Sequence, residues 1–368
     1  MHGLILMAYE YFIIFVFVML LLIDTNSIAR AMRRRKNGTV RNGLAGREKA
    51  LVIVPCKGED LTLKENLESI KKQRYNYYKI IAVLDSENDP AKKAVKEARI
   101  PYIISKRIGG EASGKVKAIV SALEKFKDYD IYVVADSDIN VDGGWLGSLT
   151  GPLTDPAVGI STMFPYFKPM KGFWSKVKLV WGFVGESLLE NEKTRFAWGG
   201  SMAFRKDLID KDAIRFMLYS RYSISDDICL TRIARGRGLS IAFAKRPQPV
   251  VNSDDDFSRF WEWSNRQTAL AILGYRENLY LGLLFYGAEM LAFASGIALS
   301  ILVSPLFLLL FLHLIKSLAS SYRRAHVRDP ALAIAVIIAP FVYFANLVIG
   351  SRMKSIRWRG ATYALPQG

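Results

Sequence analysis

Long apolar runs constrain this chain more than any other feature, because segments of that length cannot all be buried in one soluble core. Residues 3 to 23 are almost continuously apolar, broken only by Glu10. A second block runs from Leu279 to Ile315, interrupted by Ser295, Gly296, Ser304 and Pro305, and a third runs from Ala331 to Ile349. About 20 apolar residues suffice for a helix to cross a bilayer, so we predict one N-terminal and two to three C-terminal transmembrane helices. A secretory leader has a charged start and a small-residue cleavage site. Here the start is uncharged and the run ends at Asp24, so the first segment is expected to stay attached as an anchor.

The formal charge is +17 and 51% of residues are hydrophobic. The cations cluster beside the apolar runs, at Arg30, Arg33, Arg34, Arg35 and Lys36 and again at Arg323, Arg324 and Arg328. That placement suits anionic lipid headgroups. A nucleic-acid partner is not expected, since no zinc, recognition-helix or aromatic ribonucleoprotein signature accompanies the charge. Basic flanks stay on the cytoplasmic side, which predicts a multi-pass protein of the cell membrane with everything between the first two apolar blocks in the cytoplasm. The only cysteines, Cys56 and Cys229, form neither a disulfide framework nor a zinc motif, and a reducing compartment fits them. The resulting layout is an anchor over 1–26, a basic linker over 27–49, a catalytic domain over 50–256, an interfacial amphipathic helix over 257–278, a transmembrane region over 279–350 and a basic tail over 351–368.

Between the anchors the pattern changes to short β-rich runs alternating with amphipathic stretches. Leu51 to Cys56, Ile80 to Asp85, Tyr102 to Ser105 and Ile131 to Asp136 read as strands. Helix starts lie between them, a Thr62-x-x-Glu65 capping box and Asp89 followed by Pro90. This βαβ rhythm predicts an α/β fold with a mostly parallel sheet. Such sheets bind ligands beyond the carboxyl ends of their strands, so Cys56, Asp85 and Asp136 are expected to converge there.

Asp136-Ser137-Asp138 follows an apolar strand, and two hard carboxylates there suit Mg2+ or Mn2+ with phosphate oxygens completing the shell. Taken without its strand, Asp-x-Asp reads equally well as a turn. In Ser225-Asp226-Asp227 one residue can simply cap the following helix, which leaves its neighbour as a general base, and we assign that role to Asp227. Pro55, Lys57 and Glu59 in the first crossover, with Asp85 after the second strand, are candidates for the nucleotide and phosphates. Lys115, behind Gly109, Gly110 and Gly114 at another helix start, is a further phosphate candidate. In Trp198-Gly199-Gly200 the glycines permit close approach and the indole offers a face for a sugar, against the rival of a tight turn with a core tryptophan. Arg259, Trp263 and Arg266 mix cations and aromatics just before the membrane, a surface that with Trp174, Trp181 and Trp261 suits a lipid acceptor.

Taken in order, Cys56-Lys57-Gly58-Glu59-Asp60, Asp85 to Ala91, Asp136-Ser137-Asp138, Trp198 to Met202 and Ser225-Asp226-Asp227 resemble the family of inverting membrane glycosyltransferases typified by ceramide glucosyltransferase, of type 2/21. The resemblance implies a GT-A fold, with Asp85 at the nucleotide, Asp136 and Asp138 at metal and diphosphate, and Asp227 as base. It implies transfer of a hexose, with UDP-glucose as donor, onto a lipid hydroxyl to give a glycolipid. In the family's last motif Arg259 and Trp263 match, but Glu262 stands where arginine is expected, leaving Arg266 one turn later as a substitute. The segment Ile356-Arg357-Trp358-Arg359-Gly360 also resembles the one that follows the last span in relatives. The rival activities are a polyprenyl-phosphate sugar synthase and a processive polysaccharide synthase. From another class, the rival is a non-catalytic membrane scaffold or lipid-binding protein.

Overall fold

Four strands form where the sequence places them: β1 (Ala50–Cys56), β2 (Tyr78–Leu84), β3 (Tyr102–Ile104) and β4 (Ile131–Ala135). Then come β5 (Ile139–Asn140), β6 (Val158–Thr162), β7 (Tyr166–Pro169), β8 (Ser201–Arg205), β9 (Ser240–Phe243), β10 (Val250–Ser253), β11 (Ser355–Trp358) and β12 (Ala361–Ala364). The computed structural model describes residues 7–15, 18 and 48–366. Its chain divides into two units, a sheet unit (Val40–Lys171, Val184–Asp254 and Lys354–Gly368) and a helical unit (Met1–Thr39, Gly172–Phe183 and Asp255–Met353).

In the sheet unit seven strands lie in the order β3-β2-β1-β4-β8-β6-β9. β1 pairs in parallel with β2 (Val52 opposite Ile80) and with β4 (Val52 opposite Val133). Its aliphatic, β-branched run is buried throughout except at Pro55, as a parallel strand covered on both faces requires. The helix Gly114–Lys125 supplies one cover: Val116, Ile119, Val120 and Leu123 pack among Leu51, Ile53, Val83 and Val134. Each aliphatic side chain so withdrawn from water contributes on the order of 2 kcal/mol. β8 runs antiparallel to both β4 and β6, a reversal within the mostly parallel sheet. A second sheet of β5, β10 and β7 and the hairpin β11–β12 complete the unit.

The predicted Thr62-x-x-Glu65 capping box does not form. Thr62 sits at φ 60 and its side chain caps nothing, donating instead to Asn66 Oδ1 at 3.3 Å. A capping hydroxyl needs extended backbone at its own residue, which a left-handed Thr62 does not offer. Asp89 does serve the next helix, Ala91–Glu97, accepting from the Ala91 amide at 2.9 Å and from Gly58 in the first crossover at 2.9 Å.

In the helical unit residues 7–15 are helical, with Ile13 buried against Leu299 and Leu310. The rest of the predicted anchor, and the linker with its Arg30 to Lys36 cluster, lie outside the described residues apart from residues 18, 48 and 49. Three segments among the described residues are long and apolar enough to cross a membrane: Glu277–Leu302, Pro305–Ala325 and Ala331–Gly350. The second apolar block breaks at Ser304-Pro305 and not at Ser295-Gly296, which continue a helix. Gly296 there faces the Phe311 ring, 3.0 Å from where a Cβ would lie. The stretch read as an interfacial helix over 257–278 is helical over Phe257–Gly274. Its polar side faces Asn346 of the last helix, whose amide donates to Ser264 at 3.2 Å and Asn265 at 2.8 Å and accepts from Trp181 at 3.1 Å.

Candidate active site

Parallel pairing sets the carboxyl ends of β2, β1 and β4 side by side, and the antiparallel β8 begins where β4 ends. The Asp136 amide accordingly donates to Gly200 O at 3.0 Å, so the first carboxylate of Asp136-Ser137-Asp138 lies beside the Gly199-Gly200 pair. Fully buried Asn66, from the first crossover helix, fixes the next turn by donating to Ser137 O at 3.1 Å.

Lys115 is the hub. Its ammonium lies 2.7 Å from Asp136 and 3.2 Å from Asp226, donates to Gly199 O at 3.1 Å, and its side chain is only 10% exposed. Burial works to lower its pKa, but Asp136 and Asp226 more than offset this and hold it well above the ordinary lysine value. Burial pushes the carboxyls of Asp136 and Asp226 above the usual range, against the pull of Lys115. The predicted phosphate ligand is thus engaged by carboxylates of its own chain.

The two glycines have a related explanation. A Cβ on Gly199 would lie 2.6 Å from Asp226 Oδ2 and 2.9 Å from Lys115 Nζ, and one on Gly200 would lie 2.2 Å from the Trp198 ring. The close approach they permit is therefore to the chain's own Asp226, Lys115 and Trp198. Trp198 packs against Phe164 at 5.9 Å and is half-buried.

Ser225 stands at the N-cap of the helix Asp226–Gly236 without a side-chain cap bond. Asp226 turns to Lys115, whereas Asp227 Oδ1 accepts from the Ser225 hydroxyl and from the Ile228 amide. Lys57 pairs with Asp85 at 3.1 Å, both 38% exposed, and Asp85 Oδ1 borders Gly114 at the start of the Lys115 helix. Pro55 is half-buried at the end of β1 and Glu59 is exposed. Arg259, Trp263 and Arg266 belong to the helical unit, where exposed Glu262 shares their helix. Trp263 packs on Trp181 at 4.9 Å and beneath Lys178 at 4.6 Å. Both cysteines are buried, and burial raises both thiols, Cys229 to about 12.

Two residues without an assigned role in the sequence reading join the site. Asp60 accepts from the Ser137 hydroxyl and forms an ion pair with Arg359 of the C-terminal hairpin. Burial opposes the charge on Arg359, but Asp60, Asp138 and Asp136 raise its pKa. The signal for Arg359 was its place in the Ile356-Arg357-Trp358-Arg359-Gly360 segment after the last apolar block. Among the described residues no cluster of three or more His, Cys, Asp or Glu side chains could cage a metal. Asp136 and Asp138 nevertheless fit Mg2+ or Mn2+, which commonly take one or two carboxylates and fill the remaining positions with phosphate oxygens and water.

A ceramide glucosyltransferase 3 from Caenorhabditis elegans is 23% identical over 339 residues, covering 86% of this chain and 72% of its own length. The solved mannosyltransferase PcManGT from Pyrobaculum calidifontis, in complex with GDP-Man and Mn2+, superposes with a TM-score of 0.56 at 16% identity, over 91% of this chain and 96% of that one. That likeness shows the GT-A fold. The family model of glycosyl transferase family 21 matches residues 12–368, so the chain belongs to that family and is a glycosyltransferase.

Proposed function

We propose that the protein moves a hexose from a nucleoside-diphosphate sugar, UDP-glucose foremost, onto a lipid hydroxyl with inversion, from the cytoplasmic face of the membrane. The observation that carries this reading is the meeting of Asp85, Asp136 and Asp226 with Lys57 and Lys115 at the strand-end edge, with Asp138 two residues beyond Asp136. Asp85 is suited to the nucleoside. Asp136 and Asp138 are the residues that would hold Mg2+ or Mn2+, which when bound neutralises the diphosphate as a Lewis acid. Asp227 takes the proton from the acceptor hydroxyl as that oxygen attacks the anomeric carbon and the bond from that carbon to the diphosphate breaks. One displacement inverts the configuration. The apolar helices and the aromatic group of Trp174, Phe257, Phe260 and Trp261 support a lipid acceptor. The C. elegans ceramide glucosyltransferase supports glucose and a lipid as the first substrates to try.

The test is to incubate the purified full-length chain in lipid nanodiscs with UDP-glucose, UDP-galactose or GDP-mannose, a lipid extract, and Mg2+ or Mn2+, and to weigh the products. A lipid gaining one hexose, lost on chelation, is the expected result. A polymer, a product on a lipid phosphate, or no transfer from any donor would each overturn the assignment.

A further inference from the structure

The C-terminal hairpin closes with a two-residue loop, since Trp358 pairs with Ala361 across Arg359-Gly360. Both loop residues have left-handed backbone, Arg359 at φ 49 and Gly360 at φ 76, the signature of a type I′ turn. Asn, Asp or Gly meets that requirement at the first position, whereas a longer L side chain is disfavoured there. Local geometry therefore gives no reason for an arginine at residue 359, and the reason lies in what its side chain touches.

The guanidinium reaches Asp60, whose other oxygen accepts from Ser137, the residue between the two carboxylates of the Asp-x-Asp motif. Asp60 is 9% exposed while Arg359 is 36% exposed, so the carboxylate is covered and the cation keeps an open side. A guanidinium carries five donors in a planar fork matched to carboxylate or phosphate, and one carboxylate does not exhaust them. A second contact holds the hairpin in place: the Tyr363 hydroxyl accepts from the Gly114 amide at 3.2 Å, one residue before Lys115. Asp136 and Asp226 share Lys115, and Asp60 takes Arg359, whose charge Asp138 and Asp136 also favour.

We propose that Arg359 is a donor-binding residue: its guanidinium, held at the tip of the C-terminal hairpin, grips the diphosphate of the incoming nucleotide sugar. The proposal rests on the nucleotide-sugar reading given above. It makes the segment beyond the last apolar helix part of the catalytic machinery.

Calorimetric titration of the full-length chain in nanodiscs, with and without Mg2+, against UDP and UMP and against GDP and GMP tests it. Arg359→Gln should weaken the diphosphate of the preferred base by roughly ten- to a hundredfold and leave the monophosphate little changed. Arg359→Lys should recover only part, because an ammonium cannot reproduce the fork. Asp60→Asn, which releases the guanidinium from its partner, should not weaken the diphosphate. A purely structural ion pair predicts otherwise: Arg359→Gln and Asp60→Asn would lower the unfolding temperature together and weaken diphosphate and monophosphate alike. Parent protein that binds UDP or GDP, with Arg359→Gln binding it equally well, sinks the arginine assignment alone. Parent protein that binds neither sinks the donor reading and this proposal with it.

Discussion

Asp227→Asn is expected to slow sugar transfer by about 10²- to 10⁴-fold, the usual worth of a positioned general base, while leaving nucleotide binding close to that of the parent. Asparagine keeps the size of the side chain and an oxygen that can accept from the Ile228 amide, as Asp227 Oδ1 does, so the helix start survives. What disappears is the capacity to take a proton. Single-turnover rates in nanodiscs at saturating donor, with nucleotide affinity measured in parallel, check this. An unchanged rate would remove Asp227 from the chemistry and favour an acceptor already ionised, such as a lipid phosphate, which needs no base. Asp226→Asn serves as the contrast. Asp226 is tied to Lys115, so its loss should disturb affinity and stability as well as turnover.

Lys115→Met is expected to destabilise the sheet unit by about 3–5 kcal/mol, the cost of removing one partner from a buried charge cluster. Methionine fills the stem's volume, but Asp136 and Asp226 are then left close together without their shared cation. Their carboxyls already lie above the usual range through burial, with Lys115 pulling them down, so the substitution raises them further. A carboxyl with a folded pKa above its unfolded value binds its proton more tightly when folded. Its stabilising effect is present at low pH and is lost as pH climbs through the folded pKa. The variant should therefore be closest to the parent near about pH 5 and furthest from it near about pH 8. Denaturant unfolding followed by tryptophan fluorescence at both pH values is the measurement. A variant as stable as the parent at the higher pH would show that Lys115 is dispensable to the fold.

Local chemistry made the first half of the sheet legible. Strands read as Leu51 to Cys56 and Ile131 to Asp136 appear as Ala50–Cys56 and Ile131–Ala135 because unbroken β-branched runs between turn residues leave few alternatives. Their shared carboxyl edge followed from the βαβ rhythm, and with it the grouping of Asp85 and Asp136. The antiparallel β8 was not legible, since pairing direction depends on a connection of some sixty residues and not on the strand itself. That reversal is also what sets Gly199 and Gly200 against Asp136. Lys115 reads as a phosphate candidate, and its contacts with Asp136 and Asp226 were not legible because those carboxylates come from remote segments. Thr62 failed as a cap for a local reason, a left-handed backbone that a four-residue motif does not encode.

The pinned C-terminal hairpin also bears on how many times the chain threads the bilayer. The chain leaves the sheet unit after Asp254 and re-enters it at Lys354, and Arg359 and Tyr363 fasten the returning strand pair to Asp60 and Gly114. A polymer that departs from and comes back to one face of a membrane crosses it an even number of times. Among the three candidate segments an even count is none or two, and the expected arrangement is that two traverse and one lies along the interface or turns back within it. Pro305–Ala325 is the odd one out by composition: it has the lowest mean hydropathy of the three at 1.4, opens as a 3-10 turn, and carries Lys316, Arg323 and Arg324. An epitope fused after residue 368 should be protected from, or exposed to, added protease together with the sheet unit, and opposite protection of the two would break this parity.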